Sequence, residues 1–389
     1  MRFPALFGYG FRPFFLAALL AAALLIPWWA ASLAWSVPLG TSWPPSLWHG
    51  HEMLFGFITA AIAGFLLTAV PSWTGERGFA GWPLVLVTTL WVLGRACVAT
   101  SAFWPPALVA AVDLLFLPGL AALVLPPLVR ARNRNTPLLA VLAAFWATDV
   151  AFYWGLLHRD SGLARHALLV GIDIVLLLVT VIGGRIIPAF TSSGLTQRGA
   201  ANPVRTWAGT TASSVIAMLA VAVVDVFAPE TAAAGMVALV AAILQAVRLA
   251  QWGGLRTLRI PIVWVLHLSY LWLPLGLALK ALALVGVSFA AFYLHALTIG
   301  TAATMIVAVM TRASLGHTGR PLVVARPTAT AYVLLTVAGA VRVLGPAYLP
   351  LAYADVILLA AGLWTAAFVL LLWVYAPILC VARADGKPG

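Results

Sequence analysis

The sequence predicts an all-α polytopic membrane protein with twelve transmembrane helices. Of its 389 residues, 63% are hydrophobic and only 8% are charged, and the mean hydropathy is +1.06. Soluble globular domains carry about 25% charged residues. Apolar stretches long enough to span a hydrocarbon core recur along the whole chain, and the segments between them are short. We therefore predict a single integral membrane domain over residues 1–389.

The helices are expected wherever an apolar stretch reaches spanning length. In chain order they cover residues 13–35, 48–70, 83–101, 106–129, 136–157, 164–188, 205–227, 232–252, 261–285, 290–311, 327–345 and 350–376. The first stretch is longer than the apolar region of a signal peptide, so we count it as a helix. Cys97 and Cys380 fall far apart in this topology, so no disulfide framework or thiolate metal site is indicated.

The net charge of +12 reports membrane topology. Seventeen of the 22 Lys and Arg residues, from Arg2 to Lys387, lie at one set of helix ends. The remaining five lie at the other ends or within helices: Arg159, Arg165, Arg95, Lys280 and Arg342. The positive-inside rule then places both termini in the cytoplasm. This distribution explains the basic balance without a nucleic-acid partner.

Three of the predicted helices share a short pattern, in which a glycine follows a histidine by five residues. It reads "HEMLFG" from His51, "HALLVG" from His166 and "HALTIG" from His295. An offset of 244 residues aligns the first pattern with the third, and it also aligns Gly75 with Gly319. The pattern indicates an internal repeat.

The repeat predicts three parallel units of four helices, over about residues 13–129, 136–252 and 261–376. Because four is an even number, the units share one orientation. A pseudo-threefold axis would then run along the membrane normal.

The repeat would place three histidines at one depth in the outer third of the membrane. An ionisable group in an apolar helix costs several kcal/mol unless it is paired or ligated, so such groups are functional candidates. Imidazole is a common ligand of iron and copper. We predict that His51 and His295 ligate a haem, and that His166 belongs to the same site. The alternative for each is a hydrogen bond to water or a carbonyl.

The stretch "WHGHEMLFG" contains two histidines that should serve different partners. His49 and His51 point roughly 200° apart on a regular helix and cannot grip one small ion. We expect His49, with His166, to ligate a second metal or to orient a bound gas. Glu52 follows His49 by three residues and is expected to carry protons or to accept a hydrogen bond from it. A first-turn carboxylate favoured by the helix dipole is the alternative for Glu52.

Other charged residues within the helices suggest pairs. Arg95 with Asp113, and Arg342 with Asp355, lie at similar distances from an outer loop, so each is expected to form an ion pair across a hairpin. Lys280 has no such partner in the sequence. It is expected either to meet a haem propionate or to extend towards the membrane surface.

Two further histidines lie towards the cytoplasmic side. His267, in "WVLHLSY", lies about 10 Å below the level of the outer histidines, so it could ligate a second cofactor or contact a quinol. His317, in "GHTG", is a weaker metal-ligand candidate because a loop position also suits a solvated histidine. No phosphate-binding, dinucleotide-binding or nucleophile motif occurs in the sequence.

Six stretches resemble the NnrS family of bacterial membrane proteins. They are "GYGFRPFFL", "WHGHEMLFGFITAAIAGFLLTAVPSWTG", "GGRIIPAFT", "VLHLSYLWLPLG", "LHALTIGTAATMIVAVMTRASLGHTGRPL" and "YAPIL". The family is associated with denitrification and nitric oxide stress and is described as containing haem and copper. The resemblance implies twelve helices in the bacterial inner membrane, haem of the b type, copper, and a role in handling nitric oxide.

The repeat is also similar, as an architecture, to the catalytic subunit of haem-copper oxidases and nitric oxide reductases. That subunit has twelve helices in three groups of four, with histidines on helices 2, 6 and 10. The corresponding positions here are His51 or His49, His166 and His295. Helix 10 has one histidine where that subunit has two, and helix 7 has no histidine pair. A single haem with a neighbouring metal or proton-donating histidine fits these departures better than two haems and a copper.

The resemblance and the histidines together predict a haem protein that binds and reduces nitric oxide. It would act as an oxidoreductase of the nitric oxide reductase type, in which His49 and Glu52 supply protons. Quinol or a small donor protein would supply electrons. Two alternatives stay open: a nitric oxide sensor or scavenger without turnover, and a transporter of metal or a small anion.

Overall fold

The computed structural model describes residues 4–199 and 204–386. Arg2 and Lys387, which entered the topology prediction, lie outside the described residues. The described chain contains helices and turns and no strand. Within these described residues, twelve helices are long and apolar enough to cross a membrane, as predicted. They are α1 (Phe11–Trp35), α2 (Pro45–Thr74), α3 (Trp82–Ala99), α4 (Pro106–Arg130), α5 (Leu138–Leu157), α6 (Ser161–Thr196), α7 (Thr210–Phe227), α8 (Ala232–Ala250), α9 (Pro261–Leu284), α10 (Ser288–His317), α11 (Arg326–Tyr348) and α12 (Tyr353–Cys380).

The helix starts follow from the sequence more closely than the ends. The helices α2, α4 and α9 begin at a proline, which is favourable in a first turn because its missing N–H has no intrahelical acceptor there. The helices α6 and α10 continue well beyond the predicted apolar stretches, to Thr196 and His317. Hydropathy marks only the part of a helix that fits the hydrocarbon core, so these more polar ends escaped the prediction.

Three of the twelve helices contain π-helical segments, at Glu52–Ile58 in α2, Val179–Gly183 in α6 and Ala296–Ala303 in α10. The segments in α2 and α10 begin at positions related by the offset of 244 residues found in the sequence. Gly75 and Gly319, related by the same offset, both have left-handed φ angles, of 72° and 70°. The likeness of α2 and α10 thus extends to local structure. The arrangement of three units around an axis stays a prediction.

The chain divides into two compact units. Unit 1 comprises Met1–Gly171, Ala313–Pro321 and Phe368–Gly389, and unit 2 comprises Ile172–Arg312 and Leu322–Ala367, each within the described ranges. Three of the four boundaries fall inside α6, α10 and α12, and the fourth falls in the connection between α10 and α11, so none separates groups of four helices. The single domain over 1–389 stays a prediction.

In unit 1, the motif "GYGFRPFFL" packs α1 against its neighbours. Phe11 and Phe14 are fully buried. The Arg12 guanidinium is also buried, and its Nη1 donates hydrogen bonds to the carbonyls of Leu379 (3.0 Å) and Val381 (2.6 Å). The last carbonyls of a helix have no intrahelical donor, so this arginine satisfies the end of α12. The motif therefore has a structural role in the described residues.

In unit 2, α8 packs against both α7 and α9. A buried arginine holds this group to α6: Arg248 Nη1 donates to the carbonyl of Thr180, at 2.8 Å, and to the hydroxyl of Tyr270, at 3.2 Å. Gly184, which follows the π segment of α6, leaves the space that the guanidinium occupies. A Cβ atom on Gly184 would lie 1.9 Å from Nη2 of Arg248.

Gly184→Ala is therefore expected to destabilise the protein by about 1–3 kcal/mol, because the added methyl group overlaps a buried guanidinium held on two sides. Thermal unfolding of the purified protein in detergent measures the effect. Gly362→Ala is the matched control: Gly362 lies within α12, and a Cβ atom there would meet nothing within 4 Å. Equal stability of the two variants would contradict the packing described for Arg248.

Candidate metal centre

Five ionisable side chains meet inside unit 1. His51 and Glu52 come from α2, Arg95 from α3, Asp113 from α4 and Asp149 from α5. The histidine and the three carboxylic residues are almost completely buried. We call these five residues the His51 cluster. Isolated ionised groups are strongly disfavoured in such surroundings, so the contacts within the cluster decide what it can do.

The imidazole of His51 lies between carboxylates on both sides of its ring. Its Nε2 atom lies 3.2 Å from Oδ2 of Asp113 and 3.2 Å from Oδ1 of Asp149. Its Nδ1 atom lies 3.4 Å from Oε1 of Glu52. The guanidinium of Arg95 donates hydrogen bonds from Nη1 to Glu52 and from Nη2 to Asp113. The predicted ion pair of Arg95 and Asp113 is confirmed, as part of a larger network.

Local sequence features allow this close approach. The π segment of α2 begins at Glu52, directly after His51, and such widened turns are frequent at functional sites. Gly94 precedes Arg95, and a Cβ atom on Gly94 would lie 2.4 Å from Oδ1 of Asp113. Glycine at this position therefore lets α4 bring Asp113 against α3.

Aromatic side chains surround the imidazole. The ring centroids of Trp43, Phe55, Phe152 and Tyr153 lie between 4.7 and 5.4 Å from that of His51. The hydroxyl of Tyr153 also donates a hydrogen bond of 2.8 Å to Oδ2 of Asp113. The cluster is thus enclosed by apolar rings, and Tyr153 positions one of its carboxylates. A low-dielectric enclosure of this kind strengthens every electrostatic interaction inside it.

The donor atoms of the cluster suit a divalent metal ion. One atom each from His51, Asp113 and Asp149 forms a group whose members all lie within 4.8 Å of one another. Ligand atoms around a tetrahedral ion with bonds of about 2.1 Å are themselves about 3.4 Å apart, close to the separations from Nε2 described above. One imidazole nitrogen and two carboxylate oxygens favour iron(II), zinc(II) or copper(II) over copper(I), which prefers sulfur.

The net charge of the His51 cluster also favours a divalent cation. With a neutral imidazole, the carboxylates of Glu52, Asp113 and Asp149 and the guanidinium of Arg95 leave two negative charges uncompensated. An uncompensated buried charge costs several kcal/mol. One divalent cation would balance the cluster. Two bound protons would balance it as well, so the metal content of the protein distinguishes the two states.

The surroundings of His51 do not fit the haem that the sequence suggested. An axial ligand needs one ring nitrogen directed at the iron, with open space for a wide, flat macrocycle. Both nitrogens of His51 instead face carboxylates, and aromatic rings occupy the adjoining space. These contacts favour a role for His51 in the His51 cluster over the predicted role as a haem ligand.

His49 contacts other side chains than His51 does, as the spacing of the two histidines predicted. His49 is half-buried, and its ring stacks on Trp29 with a centroid distance of 4.2 Å. Glu52, expected beside His49, is instead paired with His51 and Arg95. His166 is half-buried in α6.

Two predicted ligands belong to unit 2. His295 is half-buried directly before the π segment of α10, and its role as a haem ligand stays a prediction. His267 is buried, with its Nε2 atom 2.8 Å from the hydroxyl of Thr191. A Cβ atom on Gly254 would lie 2.8 Å from its other ring nitrogen, so the backbone of Gly254 covers that side. These contacts resemble those of a packed core histidine.

His317, at the end of α10, belongs to unit 1. Its ring lies against those of Tyr9 and Phe11, with centroid distances of 5.8 and 5.7 Å. Its carbonyl accepts a hydrogen bond of 2.8 Å from Arg383. The expectation that this residue lies in a loop is wrong because α10 extends to it. Its role as a metal ligand stays a prediction.

Two expectations about charge pairs are corrected. Lys280 has a partner: its ammonium group forms a buried ion pair with Asp225 of α7. Arg342 does not pair with Asp355 in the described structure. Its Nη2 donates a hydrogen bond of 3.0 Å to the hydroxyl of Tyr353, and its guanidinium lies over the ring of Phe292. Asp355 is exposed, so its own charge needs no partner inside the protein.

Sequence reasoning missed Asp149 in the His51 cluster and Tyr153, which is hydrogen-bonded to that cluster. It also missed Asp173 and Asp225 in unit 2. The signal was available: half of the ten acidic residues in the chain are buried within candidate membrane helices, and an intramembrane carboxylate is a functional candidate by default.

A comparison with models of protein families identifies a family to which the chain is similar. The sequence model of the family described as NnrS protein matches residues 5–383, nearly the whole chain. A search of curated proteins gives no match. The matched range contains every residue of the His51 cluster.

Proposed function

Because this chain belongs to the NnrS family, we propose that it is a membrane protein of the nitric oxide response, and that it binds and reduces nitric oxide. The observation that carries the proposal is the His51 cluster, a buried set of metal-binding side chains inside an apolar helical unit. Nitric oxide is small and uncharged, so it can reach such a site through lipid. An ion would need a polar path.

We propose that His51, Asp113 and Asp149 hold a redox-active divalent metal, iron or copper. A metal bound there would deliver electrons to nitric oxide. Two nitric oxide molecules, two electrons and two protons give one nitrous oxide and one water. Quinol or a small donor protein is the proposed electron source.

The remaining residues of the site prepare it for this chemistry. Arg95 and Tyr153 fix Asp113 through hydrogen bonds, so the carboxylate keeps one orientation. Phe152 and the other surrounding rings exclude water from the site. Glu52 lies against Nδ1 of His51, whereas Nε2 of the same ring faces Asp113 and Asp149. We assign Glu52 the delivery of protons to the site.

Haem binding is a second part of the proposal, and it rests on the family resemblance and on His295. This histidine is half-buried beside a π segment, which suits a side chain that must present one ring nitrogen to a cofactor. We expect the purified protein to show a Soret absorbance band that is lost in His295→Ala and retained in His51→Ala. Loss of the band in His51→Ala alone would reverse this assignment.

Nitric oxide turnover separates the proposed enzyme from its alternatives. We expect anaerobic, quinol-reduced protein in detergent to consume nitric oxide and to form one nitrous oxide for every two nitric oxide molecules. A sensor or scavenger would bind a stoichiometric amount and stop. A transporter would show no consumption, and either of these results would contradict the proposal.

Twelve candidate spans make this a multi-pass membrane protein. We propose the bacterial inner membrane, with both termini on the cytoplasmic side, on the basis of the basic helix ends. A fluorescent reporter that folds only in the cytoplasm, fused to the C-terminus, is expected to be active. A periplasmic reporter active at that position would contradict this orientation.

A further inference from the structure

A second buried group of charged residues lies in unit 2, and the proposed nitric oxide chemistry does not use it. Asp173 comes from α6, Asp225 from α7 and Lys280 from α9. All three are largely buried. We call these residues the Asp173 cluster.

The Asp173 cluster contains two carboxyl groups and one ammonium group. The ammonium group of Lys280 pairs with Oδ2 of Asp225. The carboxyl group of Asp173 has Lys280 and Asp225 as its charged neighbours. Its Oδ2 atom is buried and accepts no hydrogen bond from the described residues. Two carboxyl groups and one ammonium carry a net negative charge if both acids are ionised.

Two carboxyl groups can form a hydrogen bond only when one of them carries a proton. Burial also disfavours a net charge, since an uncompensated buried ion costs several kcal/mol. On the adjacent helix α8, the charged Arg248 is bonded to the Thr180 carbonyl and to Tyr270, so it is engaged elsewhere. Charge balance thus calls for one additional proton.

We propose that Asp173, Asp225 and Lys280 form a proton-binding site within unit 2. Asp173 and Asp225 share one proton, and Lys280 balances the remaining negative charge. Asp225 and Lys280 lie near the C-terminal ends of α7 and α9. The site stores a proton inside the helical unit, independently of the metal proposed at the His51 cluster.

Infrared spectroscopy tests the proposal directly, because a protonated carboxyl group has a carbonyl stretch that shifts in D₂O. We expect a band in wild-type protein that disappears in Asp173→Asn. It should also disappear in Asp225→Asn, since the remaining aspartate then pairs with Lys280 as an ion. In Lys280→Met the band area should increase about twofold, because both carboxyl groups are then neutral.

Difference spectra between wild type and each variant isolate this band from carboxyl groups elsewhere in the chain. Asp160→Asn, at an exposed position, is the control and should leave the spectrum unchanged. An Asp173→Asn spectrum identical to wild type would show that Asp173 is ionised and would overturn the proposal. An unchanged band in Lys280→Met would also overturn it. Asparagine has nearly the shape of aspartic acid, so these variants should fold, and size-exclusion chromatography checks this.

Discussion

Asp149→Asn is expected to lower nitric oxide reduction by at least about 100-fold, while the protein keeps its fold. Asp149 is one of the three proposed metal ligands, and its Oδ1 atom lies 3.2 Å from Nε2 of His51. Asparagine has nearly the same shape and retains a carbonyl oxygen that can accept a hydrogen bond. It lacks the negative charge with which Asp149 would balance a divalent metal. The measurement is the rate of nitrous oxide formation by purified protein with reduced quinol.

Asp160→Asn is the matched control for this prediction. Asp160 is an exposed aspartate of the same unit, and its Oδ1 atom accepts a hydrogen bond of 2.9 Å from the N–H of Leu163. Asparagine is an equally good cap at this position, so activity and stability should change little. Full activity in Asp149→Asn would remove Asp149 from the metal centre.

Arg95→Met is expected to lower the free energy of unfolding by about 3–5 kcal/mol. The guanidinium of Arg95 donates to both Glu52 and Asp113, and both carboxylates are buried. Its removal leaves buried negative charge without a counter-ion. Unfolding in mixed detergent, followed by circular dichroism, measures the difference. Adding Glu52→Gln to Arg95→Met should recover part of the loss, because one of the two unpaired charges is then gone.

Arg130→Met provides the comparison for an ion pair in solvent. Arg130 pairs with Glu76 at 3.1 Å, and their side chains are 66% and 41% exposed. An exposed pair of this kind contributes at most about 1 kcal/mol. If Arg95→Met is no less stable than Arg130→Met, the buried charges of the His51 cluster are not as described.

The fold was largely predictable because hydrocarbon thickness fixes helix length, and apolar stretches of that length are easily recognised. The number of spans follows from this physics alone. The extension of α6 to Thr196 did not, since its final turns are polar and hydropathy does not register them. The π segments also escaped prediction, although the offset between α2 and α10 that relates two of them was visible in the sequence.

The site was only partly predictable. His51 and the pair of Arg95 and Asp113 could be found, because each is ionisable in an apolar helix and hairpin geometry brings the latter two together. Asp149 lies on α5, and no sequence pattern links it to α2. Only tertiary packing places its carboxylate against His51. The same packing surrounds His51 with carboxylates and aromatic rings, and spacing along one helix does not reveal what faces a side chain from the other helices.

The central claim is that the His51 cluster holds a non-haem divalent metal. Elemental analysis of protein purified without chelators, with haem iron determined separately, tests it most directly. We expect a stoichiometric amount of iron or copper beyond haem in the wild type, and we expect it to be lost in both His51→Ala and Asp149→Asn. A wild-type protein with no such metal, or variants that retain it in full, would contradict the proposed metal centre.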